Sequence, residues 1–163
     1  MVLLLDTVTA AVNAQIGREQ TAHLSYMALA TWCDLAGFEG AAAFYRHSAA
    51  EEIEHRDKFI DYLASLDARP FIPAVPQVDI NPGSLQHTAE LALALERSVT
   101  VAISQLYALA IDARDYMTAQ FLLWFIDEQR TSLAQWLTVS RWFVAFQEDM
   151  AMIDGKYAEL LEG

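Results

Sequence analysis

The chain has 163 residues, of which 55% are hydrophobic, and a formal net charge of −12 from 22 acidic and 10 basic side chains. This length allows a sizeable core, so we expect a single domain over residues 1–163. The negative charge argues against nucleic acid or anionic lipid as a partner. No apolar run is long enough to cross a bilayer, so we expect no membrane span.

The cysteine content and the amino-terminal residues bear on the compartment. Cys33 is the only cysteine, which excludes an intramolecular disulfide and suits a reducing environment. The apolar run Val2-Leu3-Leu4-Leu5 lacks a basic flank and stops at Asp6, unlike a signal peptide. We therefore predict a cytoplasmic protein in which Cys33 is a small buried hydrophobe.

Apolar residues at helical spacing predict two long helices in the first half of the chain. The first is expected from about Asp6 to Leu35 and the second from about Phe38 to Leu66, with Ala36-Gly37 between them. The residues that follow are rich in helix breakers: Pro70, Pro73, Pro76 and Pro82-Gly83. We expect this segment to be an extended crossover of about 15 residues.

The second half of the chain predicts two more long helices and a short one. Ser84 is a suitable N-cap for a third helix reaching about Ile111, and Asp115 for a fourth from Tyr116 to about Phe146. A short amphipathic segment, Met150 to Leu161, follows. The predicted fold is all-α: an antiparallel four-helix bundle with a long crossover between helices 2 and 3 and a short fifth C-terminal helix.

Glu52 and His55 form the most informative pair of residues in the chain. They are three residues apart in the second helix, so a carboxylate and an imidazole project from one face and can hold the same cation. That face otherwise carries Phe44, Tyr45 and Phe59. A carboxylate directed into such an apolar surface costs several kcal/mol unless it is paired or bound to a metal.

The other long helices each offer a polar residue at a similar depth. These are Glu19 in the first helix, Glu96 in the third, and Glu128 with Gln129 in the fourth. Three buried acids at several kcal/mol each would rival a whole domain stability of about 5–15 kcal/mol. Metal binding or protonation must therefore relieve this cost, and oxygen ligands with one imidazole suit iron, manganese or zinc.

Nearly the whole chain resembles a prokaryotic non-haem ferritin, of the ferritin-like di-iron family. The resemblance rests on motifs in all four helices: Trp32-Cys33, Phe38-Glu-Gly-Ala-Ala-Ala-Phe44, Glu51-Glu-Ile-Glu-His55, Asp61-Tyr-Leu63, Glu96 and Trp124-Phe-Ile-Asp-Glu-Gln129. It implies an iron-storage protein with ferroxidase activity. Fe(II) would be oxidised by O2 or hydrogen peroxide at a di-iron centre, and the ferric mineral would be stored in a hollow homo-oligomeric shell of 24 subunits.

The resemblance also implies a role for each site residue. Glu19, Glu52 and His55 would bind the first iron, with Glu52 bridging to a second iron held by Glu96. Gln129 would lie beside the second iron, and Tyr26 would hydrogen-bond near the site and, with Trp124, could supply an electron. Glu51 and Glu128 would serve a third iron site, and the row Glu51, Glu54 and Asp57 resembles a mineral-nucleating surface.

Three departures from the family pattern qualify these expectations. Thr131 and Ser132 stand where many prokaryotic ferritins have acids, which weakens the third iron site and loosens the second. The stretch that lines a pore in animal ferritins reads Ala119 and Leu122, so an acidic entry funnel is not expected there. His23 follows Glu19 by four residues and is expected to support the site or to pack.

Other members of the wider family fit less well. A bacterioferritin would need a haem-ligating Met, but Ile53 follows Glu52, so we expect no haem. A rubrerythrin would need more cysteines, and a DNA-protecting mini-ferritin would lack the fifth helix. A storage or shell subunit with weak or no ferroxidase activity remains the alternative function, since Ser132 replaces a possible ligand.

Overall fold

The computed structural model describes residues 5–147 and 149–162, and Val2, Leu3 and Leu4 of the opening run lie outside them. These described residues form five helices in chain order. They are α1 (Asp6–Ala36), α2 (Glu39–Ser65), α3 (Leu85–Asp112), α4 (Tyr116–Ala145) and α5 (Met150–Glu159). The bounds agree with the predictions to within two residues, and the all-α four-helix bundle with a short fifth helix is confirmed.

Local capping interactions explain where the helices begin and end. Ser84 accepts a hydrogen bond from the backbone N–H of His87, and Asp115 accepts one from Thr118, as the sequence predicted for these N-caps. Gly37 ends α1 in the left-handed conformation, with a φ of 84°, which glycine adopts without steric cost. These ends depend on residues within one turn, so they could be read from the sequence.

The segment between Ser65 and Leu85 is the predicted crossover, and α1 holds it in place. The side-chain amide of Asn13 donates to the backbone carbonyl of Arg69 and accepts from the N–H of Phe71. Pro73 lies against α1 so closely that a Cβ on Gly17 would be 2.9 Å from its Cγ. The crossover therefore runs across the outside of the bundle and leaves the interior to the helices.

The short helix α5 packs against the beginning of α2. Phe38, the N-cap residue of α2, makes no side-chain cap, and Asp154 of α5 accepts hydrogen bonds from the N–H groups of Gly40 and Ala41 instead, at 3.1 and 2.8 Å. A Cβ on Gly40 would collide with the backbone carbonyl of Asp154. Gly40 and Asp154, which are far apart in sequence, thus allow α5 to pack closely against α2.

The core consists of two apolar clusters with a polar layer between them. One includes Val12, Ile16 and Phe125, and the other, nearer α5, includes Phe44 and Trp136. Cys33 is buried in the second cluster, as expected, and burial raises the pKa of its thiol to about 12. Among the described residues, no helix is long and apolar enough to cross a membrane.

Candidate metal centre

Glu19, Glu52 and His55 come together in the polar layer between the two apolar clusters. All three are buried, and each offers a ligand atom that lies within 4.8 Å of the other two. The Nδ1 atom of His55 lies 3.3 Å from Oε2 of Glu52, which is the i, i+3 pair predicted from the sequence. The bundle therefore gathers two carboxylates and an imidazole from α1 and α2 at one interior point.

Gln15 fixes the orientation of the Glu19 carboxylate. It is fully buried one turn before Glu19 on α1, and its side-chain amide donates to Oε1 of Glu19 at 2.7 Å. The other oxygen, Oε2, is buried without a hydrogen-bond partner. A buried carboxylate oxygen with no partner is costly, so one position on Glu19 is left available to a cation.

Aromatic rings from α4 hold the imidazole of His55. Trp124 and Phe125 contact it edge-on, with ring centroids 5.6 and 6.0 Å away. Phe125 in turn stacks on Phe59 of α2 at 4.1 Å. These contacts restrict the rotamer of His55, and a restricted ligand loses less entropy when it binds a metal.

Glu96 on α3 is held by two hydrogen-bond donors. The hydroxyl of Tyr26 donates to Oε1, and the amide of Gln129 donates to Oε2 at 3.0 Å and lies 3.2 Å from Oγ1 of Thr100. Gln129 is buried, as predicted for an inward residue of α4. Its contacts here are hydrogen bonds to Glu96 and Thr100, so its amide positions the carboxylate.

Burial and mutual repulsion raise the pKa values of two carboxyl groups of the centre. Burial, and then the nearby charge of Glu52, raises the pKa of Glu19 well above its usual range. Burial, with the charge of Glu96, raises the pKa of Glu52 to about 8. A divalent cation between these groups would replace the protons and remove the repulsion, so the donor set fits a metal ion.

A polar cavity of about 140 Å³ adjoins the centre. Glu52, His55 and Glu96 line it together with the half-buried Glu51 and Glu128. The wall is completed by Ser48, Thr131, Ser132, Gln135 and Trp136. This space brings the remaining predicted site residues to the same place, with hydroxyl and amide groups where further carboxylates would give tighter metal binding.

Comparison with known proteins agrees with this fold. A protein-family model described as a ferritin-like domain matches residues 9–139. The chain belongs to the ferritin-like domain family. A bacterial non-heme ferritin of Staphylococcus epidermidis is 35% identical over 127 residues (78% of this chain and 76% of the relative). One of Staphylococcus saprophyticus is 39% identical over 119 residues (73% and 71%).

Solved structures extend the similarity to almost the whole length. An open pore ferritin from the hyperthermophilic archaeon Archaeoglobus fulgidus matches with a TM-score of 0.93 and 25% identity, over 97% of this chain and 98% of that chain. A humanized archaeal ferritin matches with a TM-score of 0.92 and the same identity. The resemblance inferred from the sequence motifs is thus confirmed at the level of the family.

Other features expected of a ferritin-like chain lie elsewhere. His23 is half-buried, and its Nδ1 lies 2.8 Å from the backbone carbonyl of Ala49 on α2, so it ties α1 to α2. In the acidic row, Glu54 is exposed, Glu51 is paired with His47 at 3.4 Å, and Asp57 is paired with Arg56.

Ala119 and Leu122 stand at the positions where no acidic entry funnel is expected. Ala119 and Leu122 are buried inside the subunit, with exposed fractions of 5% and 0%, so neither can line a pore. The exposed side chains of that stretch are Tyr116, Met117, Gln120 and Leu123, which carry no carboxylate.

Gln15 is the site residue that the sequence reasoning missed, although its position four residues before Glu19 on one helix face was a usable signal. We predict that Gln15→Leu, which removes the donor to Glu19 and keeps a similar volume, weakens zinc binding by about tenfold or more. Isothermal titration with Zn(II) measures the change.

The matched control is Gln20→Leu, because Gln20 lies on the same helix and its side chain accepts from Arg56 at 2.7 Å. Equal zinc affinities in the two variants would show that the bond from Gln15 does not prepare the centre.

Proposed function

We propose that this protein oxidises Fe(II) at the candidate metal centre and stores the ferric product. The observation that carries the proposal is the buried group Glu19, Glu52 and His55, in which Oε2 of Glu19 has no partner and the carboxylates repel one another. Fe(II) is here a substrate that takes the place of the protons. The non-heme ferritins among the relatives support iron as the cation.

The residues of the chain divide the work of the reaction. Glu19, Glu52 and His55 bind the first Fe(II), and Glu52 and Glu96, which share the cavity, hold a second. Gln15 and Gln129 keep the carboxylates of Glu19 and Glu96 in place. Two ions bound together can supply two electrons to O2 or hydrogen peroxide, and the surrounding apolar clusters exclude water.

The carboxylates of Glu51 and Glu128 provide a route by which the oxidised iron leaves the centre. Both are half-buried and line the cavity beside Glu52 and Glu96. Ferric iron favours carboxylate oxygen, so these residues act as a transient third site. We further propose a hollow homo-oligomer of 24 subunits as the store, and the cytoplasmic location stays a prediction.

A subunit with weak oxidase activity is the second candidate function. Thr131 and Ser132 line the cavity and offer hydroxyl groups in place of carboxylates. A neutral hydroxyl binds iron more weakly than a carboxylate, so the second ion would be held loosely. In this alternative the protein still stores iron but does not oxidise it in a rapid two-electron step.

Oxygen uptake after addition of Fe(II) separates the two candidates. We expect a fast phase that ends when two Fe(II) ions per subunit have been added, and we expect Zn(II) added first to suppress it by occupying the centre. The measurement is stopped-flow absorbance with an oxygen electrode. Oxidation no faster than that of iron in buffer would refute the oxidase and leave the storage subunit.

A further inference from the structure

A row of aromatic rings connects the metal cavity to the surface near α5. Trp136 forms part of the cavity wall beside Glu52 and Glu96 and is only 1% exposed. The ring of Tyr45 stacks on Trp136 with centroids 5.4 Å apart and an interplanar angle of 21°. The row therefore starts at the site where oxidation is proposed to occur.

The row continues through α5 and ends at a half-buried indole. Tyr157 of α5 lies 5.8 Å from Tyr45, and Trp142 of α4 lies 5.6 Å from Tyr157, centroid to centroid. Trp142 is half-buried, whereas Trp136, Tyr45 and Tyr157 are 0–1% exposed. Each ring contacts the next, so electrons can pass between them without crossing a gap of solvent.

The chemistry of the four rings differs in a way that suits a relay. Tyrosine must release its proton when it loses an electron, whereas tryptophan can lose one electron and keep its N–H. Tyr45 donates to the neutral hydroxyl of Thr88 and shares a weak contact with Tyr157, so neither phenol has a base to take its proton. The two tyrosines therefore serve as the medium through which the electron passes, and the radical cation forms on the two indoles. The indoles lie about 9 Å apart along α4.

Local charge favours Trp136 over the other indole beside the centre. Trp124 contacts His55, but it is 45% exposed and the ammonium of Lys58 lies 4.7 Å from its ring centroid. A positive charge at that distance opposes formation of a tryptophan radical cation. Trp136 instead lines a cavity with Glu51 and Glu128, whose carboxylates offset the positive charge of the bound iron.

We propose that Trp136, Tyr45, Tyr157 and Trp142 form a one-electron route between the metal cavity and an external reductant; the proposal rests on the proposed iron oxidation. It operates when one Fe(II) meets hydrogen peroxide. Splitting the O–O bond takes two electrons, together with two protons from solvent, and yields two water molecules. Fe(II) gives one electron and becomes Fe(III), and Trp136 gives the other. Trp142 then reduces Trp136, and the external donor reduces Trp142.

The test uses protein loaded anaerobically with one Fe(II) per subunit and mixed with equimolar hydrogen peroxide. The donor is tetramethyl-p-phenylenediamine, which is uncharged and so is not repelled by a chain of net charge −12. We expect donor oxidation equimolar with peroxide in the native protein. Trp142→Phe, which keeps a ring but cannot be oxidised, is expected to slow donor oxidation by about tenfold or more.

Trp32→Phe is the matched control, because Trp32 stacks on Phe38 outside the row. It should oxidise the donor at the native rate, and Trp142→Phe should consume Fe(II) and O2 at the native rate because it lies away from the centre. Equal donor oxidation in Trp142→Phe and the native protein, or none in either, overturns the route. Loss of oxygen uptake by native protein alone would instead count against the proposed function.

A second measurement needs no variant. Without donor, the oxidising equivalent should remain on Trp142, and peptide mapping by mass spectrometry should find oxygen added there more than at Trp124. Random oxidation from solution would follow exposure and favour Trp124, which is 45% exposed. Damage that follows exposure therefore also overturns the route.

Discussion

Replacing Glu52 by alanine is expected to abolish the fast phase of Fe(II) oxidation. Glu52 is the residue that connects the two halves of the centre, because it lies beside Glu19 and His55 and also lines the cavity with Glu96. Without it, neither of the two proposed ions would keep its full set of ligands. We expect the initial rate to fall by at least about tenfold, which corresponds to about 1.4 kcal/mol in the barrier.

His55→Ala is also expected to lower the initial rate of Fe(II) oxidation, since it removes the only imidazole of the group. Glu54→Ala is the control, because Glu54 is an exposed carboxylate on the same helix. Stopped-flow traces at low iron give the rates, and circular dichroism establishes that the variants are folded. Native rates in both Glu52→Ala and His55→Ala would remove the site from the proposed function.

The second large effect is a dependence of stability on pH in protein freed of metal by a chelator. Burial and the neighbouring charge of Glu96 raise the pKa of Glu52 in the folded protein to about 8, above the usual 4.5. The folded state therefore holds this proton more tightly than the unfolded chain does. The resulting stability is fully present below about pH 4.5 and is lost as the pH rises through about 8.

Glu52→Gln keeps the shape of the side chain and removes the ionisation, so its thermal midpoint should exceed that of the native protein by more at pH 8 than at pH 5. Differential scanning calorimetry in the presence of chelator gives both differences. Zn(II) at pH 8 should stabilise the native protein and leave the variant nearly unchanged. A difference that is equal at the two pH values would mean that Glu52 ionises freely.

The same substitution at Glu54 provides the comparison, because Glu54 is exposed and lies only two residues along α2. Any general effect of removing one negative charge from this acidic chain would appear in Glu54→Gln as well. Only the part of the pH dependence that is specific to Glu52 reports on the buried centre.

Most of the fold was predictable because it depends on local interactions. The apolar spacing of α1 to α4, the N-caps at Ser84 and Asp115, and the glycine at the end of α1 act within a few residues. The pairing of Glu52 with His55 follows from helix geometry in the same way. The match of these features to a known family was then enough to assign the fold.

The orientation of the site residues was predictable only in part. The sequence indicated that Glu19 and Glu96 face inward, and the family resemblance implied a hydrogen bond from Tyr26 near the site. The sequence did not indicate that Gln15 and Gln129 hold the oxygens of Glu19 and Glu96 in place. It also did not separate Trp124, which is half-exposed under Lys58, from Trp136, which lines the cavity. Those distinctions depend on the rotation of each helix about its own axis.

The amino-acid sequence by itself determined the four long helices, the N-caps at Ser84 and Asp115, and the acidic residues that point toward the bundle interior. Only the tertiary structure decided that Asp154 of α5 caps α2, that Ala119 and Leu122 are buried, and that aromatic rings from three helices join. The physical reason is how far apart in sequence the interacting residues lie. Helix formation is set by neighbours within about four residues, whereas these contacts join residues distant in sequence and require the packed bundle.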